Sequence, residues 1–415
     1  MKFLLINDTD ELTGGAAVIF DLQRQFLQEL GHEVFTICFS KTIKRDNHHL
    51  RLPVTKNWYL RKWFKLTFHP IVYYRLRSFI NEIQPDLVII HNNALYPSTV
   101  LLACRGYPVV HVSHDFYLVC PTMWAVQKRT LAVCSKGINL KCITHCYISP
   151  LSLLLFHVPL FFIRRALLKR IVRILIAPSQ SLTEYLWRFG YTAKLLRNPV
   201  PFDILESSSK CTHSVQPNTP VSENPYILYV GLLSDNKGVD CLIRAFAILY
   251  HNGFSRLRLK VAGDGPSRKA LEGLAKDLGV INAIEFLGTV SRSNLYDLYR
   301  EAVALVVPSL WQENFPTVVS ETMACECPVI GSARGGIPEM LGKNQRGLLF
   351  KPGDAEDLAD KIIMLLCDQA LRHKLTVEAT SYVHNTLNPR IYIQKLMGIV
   401  YEVIHSARKV HKWKN

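Results

Sequence analysis

The chain has 415 residues, 49% hydrophobic and 20% charged, with a formal net charge of +16. It exceeds the length one hydrophobic core usually serves and is too apolar for intrinsic disorder, so two folded domains are the default. Eleven scattered cysteines, an odd number, suit a reducing compartment better than a disulfide scaffold.

Residues 2–7 are a short apolar run followed by Asp8, Asp10 and Glu11, which reads as a strand and not as a secretory leader. Gly14-Gly15 opens a helical stretch to about residue 30, and Gly31 stands where helices commonly end. Residues 33–39, 86–91, 108–113 and 171–177 are further short apolar runs, and their alternation with helices implies a parallel sheet buried on both faces. Residues 203–225 are rich in Ser, Asn and Pro and suit a linker. The rhythm then restarts, with strands at 226–230, 257–262, 284–287, 303–307 and 328–330 and helices at 239–250 and 267–278. A last helix, about 389–407, ends in the basic segment 408–414.

The positive charge is uneven: residues 1–200 hold 25 Lys+Arg against 11 Asp+Glu, and residues 201–415 hold 24 against 22. Two stretches of the basic half mix cations with apolar bulk. One, at 58–80, joins Arg61, Lys62, Lys65, Arg75 and Arg77 to Trp58, Trp63, Phe64, Phe68, Tyr73 and Tyr74. The other, at 151–173, runs from a Leu/Phe block into Arg164, Arg165, Lys169, Arg170 and Arg173. Such segments dock on anionic lipid, or else are core helices with a solvated basic face; no RNA-recognition motif accompanies them. No stretch reaches the roughly 18–20 apolar residues of a spanning helix. The nearest, 151–163, is shorter and contains His157 and Pro159. A cytoplasmic protein, peripheral on the inner face of the cytoplasmic membrane, is expected.

The segment Pro308-Ser309-Leu310-Trp311-Gln312-Glu313-Asn314-Phe315-Pro316-Thr317-Val318-Val319-Ser320-Glu321 follows an apolar strand and leads into a helix. Pro316 fits the first helical position. The N–H groups of Thr317 and Val318 would then face an anion such as a diphosphate. Glu313 before the helix and Glu321 within it suit sugar hydroxyls better than phosphate.

These residues resemble the Glu-x7-Glu motif of glycosyltransferase family 4. The similarity continues through Glu321–Cys325, Pro328–Ile330 and Gly335–Glu339, and takes in Gly231–Gly238 and Gly263–Pro266. The resemblance implies the GT-B fold: two facing Rossmann-like, doubly wound α/β domains with a cleft between them. It implies a retaining transfer from a nucleoside diphosphate sugar, without a bound metal or other cofactor, and gives Glu313 the donor sugar and Glu321 the ribose. By the same resemblance Gly14, Gly15, Gly231, Gly263, Asp264, Leu287, Asn314, Phe315, Pro316, Thr317 and Val318 belong to the donor site. Lys237 would neutralise the leaving diphosphate, and His114 of the His114-Asp115 pair would contact the transferred sugar, with His111 a strand residue. The family usually has Arg directly after Gly231; here Leu232 stands there.

Cys120, Cys134, Cys142 and Cys146 lack a tight C-x2-C pair, which leaves a metal or disulfide staple and ordinary thiols both open. The expected domains are an acceptor-binding unit at 1–202, a linker at 203–224, a nucleotide-sugar-binding unit at 225–388, and a helix at 389–415 packing back on the first unit. A glycan or lipid-linked acceptor of polysaccharide or lipopolysaccharide synthesis is expected, with no nucleic acid. The alternative is a non-catalytic nucleotide-sugar-binding protein of the same fold.

Overall fold

The computed structural model describes every residue except 10–13, 41–43, 56, 58–59, 61–62, 65–66, 93–94, 121, 123–124, 128, 131, 136, 206–224 and 413–415, and the side chains of 44 and 408–412. Asp10, Glu11, Trp58, Arg61, Lys62, Lys65, most of the expected linker and the basic side chains of 408–414 therefore lie outside the described residues. The chain forms two compact units, Met1–Arg197 with Arg390–Asn415, and Asn198–Pro389.

In the first unit the elements run β1 (Lys2–Ile6), α1 (Gly15–Glu29), β2 (Glu33–Ser40), β3 (Lys44–Arg45), β4 (His49–Pro53), α2 (Pro70–Ile83), β5 (Leu87–His91), α3 (Pro97–Ala103) and β6 (Val109–Val112). After α4 (Lys141–Thr144) come α5 (Pro150–Ser152), a π-helical turn (Leu153–His157), α6 (Val158–Ile171), β7 (Val172–Ala177), α7 (Gln180–Arg188) and β8 (Ala193–Leu195). The sheet order is β3-β4-β2-β1-β5-β6-β7-β8, parallel throughout except for the antiparallel β3–β4 edge. Strands buried on both faces read as unbroken apolar runs, which β1 and β5 do.

In the second unit β9 (Tyr226–Val230) leads to α8 (Val239–His251), β10 (Arg258–Ala262), α9 (Arg268–Asp277), β11 (Ile284–Gly288), α10 (Arg292–Glu301) and β12 (Ala304–Val307). Then follow α11 (Thr317–Ala324), β13 (Val329–Ser332), α12 (Ile337–Met340), β14 (Leu348–Phe350), α13 (Ala355–Cys367) and α14 (Gln369–Thr386). The six strands are all parallel, in the order β11-β10-β9-β12-β13-β14. Counted within the unit, this order reverses between β9 and β12, the switch point at whose carboxyl ends open α/β sheets bind ligands. Cores lie on both sheet faces, one around Phe246 and Leu259 and the other around Tyr299 and Met323.

The second unit begins at Asn198 and not after residue 202. Val200 and Ile204 are buried in its core, and Val200 N–H donates to Leu387 O at 3.0 Å. The last helix, α15 (Pro389–Lys412), sets Tyr392 against Phe26 with ring centroids 6.4 Å apart, and Lys194 pairs with Glu402.

The 151–163 stretch is longer than its apolar run suggests. Helix is continuous over Pro150–Ile171, 22 residues, and by length and composition it could cross a membrane. His157 and Pro159 do not break it. Proline lacks an N–H and crowds the carbonyl four residues back, and a π-helical turn immediately before α6 widens the helix there.

Candidate functional site

The switch point of the second unit is built by the loops that leave β9 and β12. After β12 the chain makes a loop through Ser309 to Asn314 in which Ser309, Gln312, Glu313 and Asn314 are buried, and which is hydrogen-bonded on several sides. Ser332 Oγ donates to Ser309 O at 2.6 Å, and Leu310 N–H donates to Asn236 O at 2.9 Å. Gly336 N–H donates to Glu313 O at 2.6 Å, and Gly335 N–H to Gln312 Oε1 at 2.9 Å. Gly335 has φ +56°, and a Cβ there would lie 1.9 Å from Glu313 O, so no other residue fits this approach.

The loop delivers Glu313 to Lys237 from the β9 loop, with Nζ to Oε1 at 2.8 Å. Ser309 Oγ donates to the same oxygen at 2.6 Å, and Lys237 Nζ lies 4.8 Å from the Trp311 ring centroid. Burial pushes the Glu313 carboxyl up, but the Lys237 charge and the hydrogen bonds from Lys237 and Ser309 outweigh it and hold the group below its usual range. Lys237 follows a loop locked against its neighbour: a Cβ on Gly263 would meet Gly231 O at 1.8 Å, and Leu233 N–H donates to Asp264 O at 2.9 Å.

Pro316 is the N-cap of α11 with extended backbone, so Thr317 and not Pro316 is the first helical residue. Its ψ of 118° explains the difference: φ suits a helix start, but the chain turns helical only one residue later. The first bond of the helix runs from Val319 N–H to Pro316 O at 3.1 Å, which places the Thr317 and Val318 N–H groups ahead of the ladder. Asn314 and Phe315 are buried beside them, and Leu287 is half-buried at the end of β11.

Glu321, one turn into α11, is in a different state. Its contacts are long, 3.4 Å from Tyr299 Oη and 3.7 Å from an Arg292 nitrogen. Burial raises its carboxyl above the usual range, and Arg292 and Tyr299 only partly offset this. A vicinal diol donating two hydrogen bonds would satisfy such a carboxylate. Affinity for a diol ligand at this carboxylate is therefore expected to fall as pH drops through this raised value, because the protonated carboxyl accepts less well. Calorimetric titration of Glu321→Gln across the same pH range should show a flatter dependence.

In the first unit Gly14 is the N-cap of α1, with φ 91° and nothing within 4 Å of an added Cβ. Backbone angle, not crowding, is thus what calls for glycine there. Gly15 starts the helix. His111 lies in β6, and half-buried His114 follows it. His114 stacks on His91 at 5.2 Å between centroids, and His114 Nε2 lies 3.0 Å from His91 Nδ1. His91 Nε2 is 2.9 Å from Gln23 Oε1, and Gln23 Nε2 donates to Tyr392 Oη. With Gln23 Oε1 as acceptor, His91 Nε2 carries the proton and His91 Nδ1 accepts from His114 Nε2–H.

Burial holds all three histidines neutral. It drives His91 well down, His111 to about 4, and His114 to about 3, neighbouring histidines adding to the shifts of His91 and His114. A histidine with a lowered folded pKa gives stability that is whole above the unfolded value of 6.5 and is lost as pH falls toward the folded value. Unfolding free energy is expected to drop between pH 6.5 and about 4, by up to roughly 1.4 kcal/mol per pH unit for each group. Urea titrations of wild type and His111→Gln check this, the variant having the shallower slope.

Asp8-Thr9-Asp10 has Asp-x-Asp spacing, with Asp8 Oδ1 accepting from Leu95 N–H at 3.2 Å and Asp10 outside the described residues. Cys120, Cys134, Cys142 and Cys146 are free, buried thiols. Among the described residues no group of three or more His, Cys, Asp or Glu could hold a metal ion.

Sequence profiles for two halves of one enzyme family match this chain. The profile described as Glycosyltransferase Family 4 covers residues 13–203, and that described as Glycosyl transferases group 1 covers 213–382. The chain belongs to glycosyltransferase family 4. It is 30% identical over 189 residues to the N-acetyl-alpha-D-glucosaminyl L-malate synthase of Bacillus anthracis, covering 45% of this chain and 48% of that protein. It is 31% identical over 196 residues to an alpha-1,4-N-acetyl-D-galactosaminyltransferase of Campylobacter jejuni named for a diphospho-undecaprenol-linked glycan, covering 47% and 51%. The matches span about half the length of these curated relatives. Anabaena HepE, crystallised with UDP, superposes with a TM-score of 0.69 at 18% identity, over 97% of this chain and 100% of that one. The architecture is thus the GT-B fold, two Rossmann-like domains each with a parallel sheet.

The resemblance pointed to Glu313, Lys237 and Glu321; the second unit pairs Lys237 with Glu313, while Glu321 lies one turn into α11 against Tyr299 and Arg292. Gly14, Gly15 and His114 lie in the first unit. The sequence reading missed Ser309, Arg292 and Tyr299, which set the two carboxylates' states. It also missed the clamp of Gly335-Gly336 on Glu313, although that pair was visible within the motif.

Proposed function

We propose that this glycosyltransferase is a retaining enzyme that moves a sugar from a nucleoside diphosphate sugar to a hydroxyl of a glycan or lipid-linked acceptor. The second unit takes the donor and the first the acceptor. The Lys237–Glu313 pair, held beside the α11 N-terminus, carries the reading. It offers a cation and helix N–H groups for a diphosphate and a carboxylate for sugar hydroxyls. Glu321 takes the ribose diol.

In the transfer, the bond from the anomeric carbon to the diphosphate oxygen breaks and the acceptor oxygen bonds to that carbon from the same face. The acceptor proton passes to the departing diphosphate, so no protein carboxylate forms a covalent intermediate. Lys237 and the Thr317 and Val318 N–H groups stabilise the charge that develops on the leaving group. The relative named for a diphospho-undecaprenol-linked glycan supports a lipid-linked acceptor in cell-surface polysaccharide or lipopolysaccharide synthesis, at the inner face of the cytoplasmic membrane.

Exposed Leu232, where the family usually has Arg, favours a second reading in which the chain binds the nucleotide sugar without turning it over. Nucleoside diphosphate release from a panel of nucleotide sugars, with acceptor extract and with the product's anomeric configuration read by NMR, separates the two. Release that falls at least about a hundredfold in Glu313→Ala, yields a retained product and survives EDTA fits the transferase. No release above that variant would leave only the binding reading.

A further inference from the structure

The helix Pro150–Ile171 is amphipathic in an unusual way, because its outward face changes character along its length. Leu151, Leu154, Leu155, Phe162 and Ile163 are all exposed, Leu154 by 69% and Phe162 by 63%. They are followed on the exposed side by Lys169, Arg170 and, just after the helix, Arg173. Apolar bulk thus covers about 18 Å of helix and three cations close it. Trp63, 53% exposed, packs edge-on against Phe156 at 6.2 Å, and Ile71 and Tyr74 in the first turn of α2 are exposed too. Both α2 and α6 pack on α3, so the two apolar ends belong to one flank of the unit.

Arg164, read from the sequence as part of the basic surface, does not reach it. It is buried, lies 4.3 Å from the Tyr117 ring centroid and donates to Tyr117 O. Acidic residues are scarce in the part of the sequence that builds this flank. Residues 51–200 hold 20 Lys+Arg against 4 Asp+Glu, and none of the four falls between Asp115 and Glu184.

We propose that the exposed face of Pro150–Ile171, with Trp63, Ile71 and Tyr74, is a docking surface for an anionic lipid bilayer. The apolar half enters the headgroup and acyl boundary while Lys169, Arg170 and Arg173 meet lipid phosphates. It deepens, and rests on, the reading of a transferase working at a membrane face. Charge complementarity selects the occupant. Two copies of so basic a flank would repel, whereas anionic lipid gains from every cation. The helix lies on the bilayer and does not cross it. Its other edge, Leu153, Leu160, Arg164, Leu168 and Ile171, is buried in the unit, and β7 begins at the next residue, paired with β6 and β8.

The test is co-sedimentation of the full chain with vesicles of phosphatidylglycerol mixed into phosphatidylcholine, and with phosphatidylcholine alone. Wild type should bind the mixed vesicles and lose binding as salt rises. Leu155→Glu with Phe162→Glu should weaken binding by at least about tenfold, both positions being exposed and outside the fold's core. Lys169→Ala, Arg170→Ala and Arg173→Ala together should remove the preference for the anionic vesicles. Equal binding by the Leu155→Glu, Phe162→Glu variant would overturn the proposal. So would a wild-type dimer that this variant converts to monomer, which would make the face a contact between copies. Nucleoside diphosphate release, measured on the same variants without vesicles, should stay at the wild-type level. Its absence from wild type would sink the transferase reading and leave the lipid result standing.

Discussion

Lys237→Met is expected to lower transfer by about 10²–10³-fold, the usual loss when one preorganised group facing developing charge is removed. Its stability effect should depend on pH in a way that identifies the Glu313 pair. In the wild type Glu313 sits below its ordinary value of 4.5, so it contributes stability that is present above that pH and lost as pH falls through the lower folded value. Without Lys237 its lowering contributions are gone, and burial pushes the folded value of Glu313 up. The variant then carries a cost that grows as pH rises and the buried carboxylate ionises without its partner, Ser309 still donating to it. Urea unfolding at pH 7 and pH 4 reads this directly. A difference from wild type that stays constant between the two would show that the charge pair is not what Lys237 supplies.

Gly335→Ala should be as damaging through the backbone alone. Its Cβ would sit 1.9 Å from Glu313 O at a φ of +56°, against main chain that is itself bonded to Gly336. The clash cannot be relieved by rotating a side chain, so the loop carrying Glu313 must move. A destabilisation of about 2–4 kcal/mol and loss of most nucleoside diphosphate affinity are expected. Gly273→Ala, in the helix α9 with nothing within 4 Å of the added Cβ, is the control and should be neutral or slightly stabilising. Unfolding and calorimetric titration of both variants check the contrast.

Central parallel strands were legible because burial on both faces leaves an apolar run, as in Tyr226–Val230, where the expected and observed bounds coincide. The edges were not. In His49–Pro53 only Leu50 and Leu52 are buried, and His49 and Arg51 interrupt the apolar signal. Leu348–Phe350 is too short to stand out. Helix Pro70–Ile83 was read as a basic aromatic segment, since its buried Val72, Leu76, Phe79 and Ile80 alternate with cations and tyrosines on the outer face.

At the site, spacing along one loop and helix revealed Glu313 and Glu321 because both belong to a continuous stretch of chain. Their opposite proton affinities were invisible. Lys237 reaches Glu313 across 76 residues, and Arg292 and Tyr299 reach Glu321 from another helix. Such pairings are tertiary, and no local pattern encodes them. The side chain of Leu232, where the resemblance leads one to expect Arg, is exposed.

The most direct measurement is isothermal titration of the full chain with UDP, GDP and ADP, wild type beside Lys237→Met. Binding of at least one of the three, weakened about tenfold or more by the substitution, is the result predicted from a diphosphate held by Lys237 and the start of α11. Binding of none, or binding that Lys237→Met leaves unchanged, would contradict a donor site centred on Glu313 and Lys237.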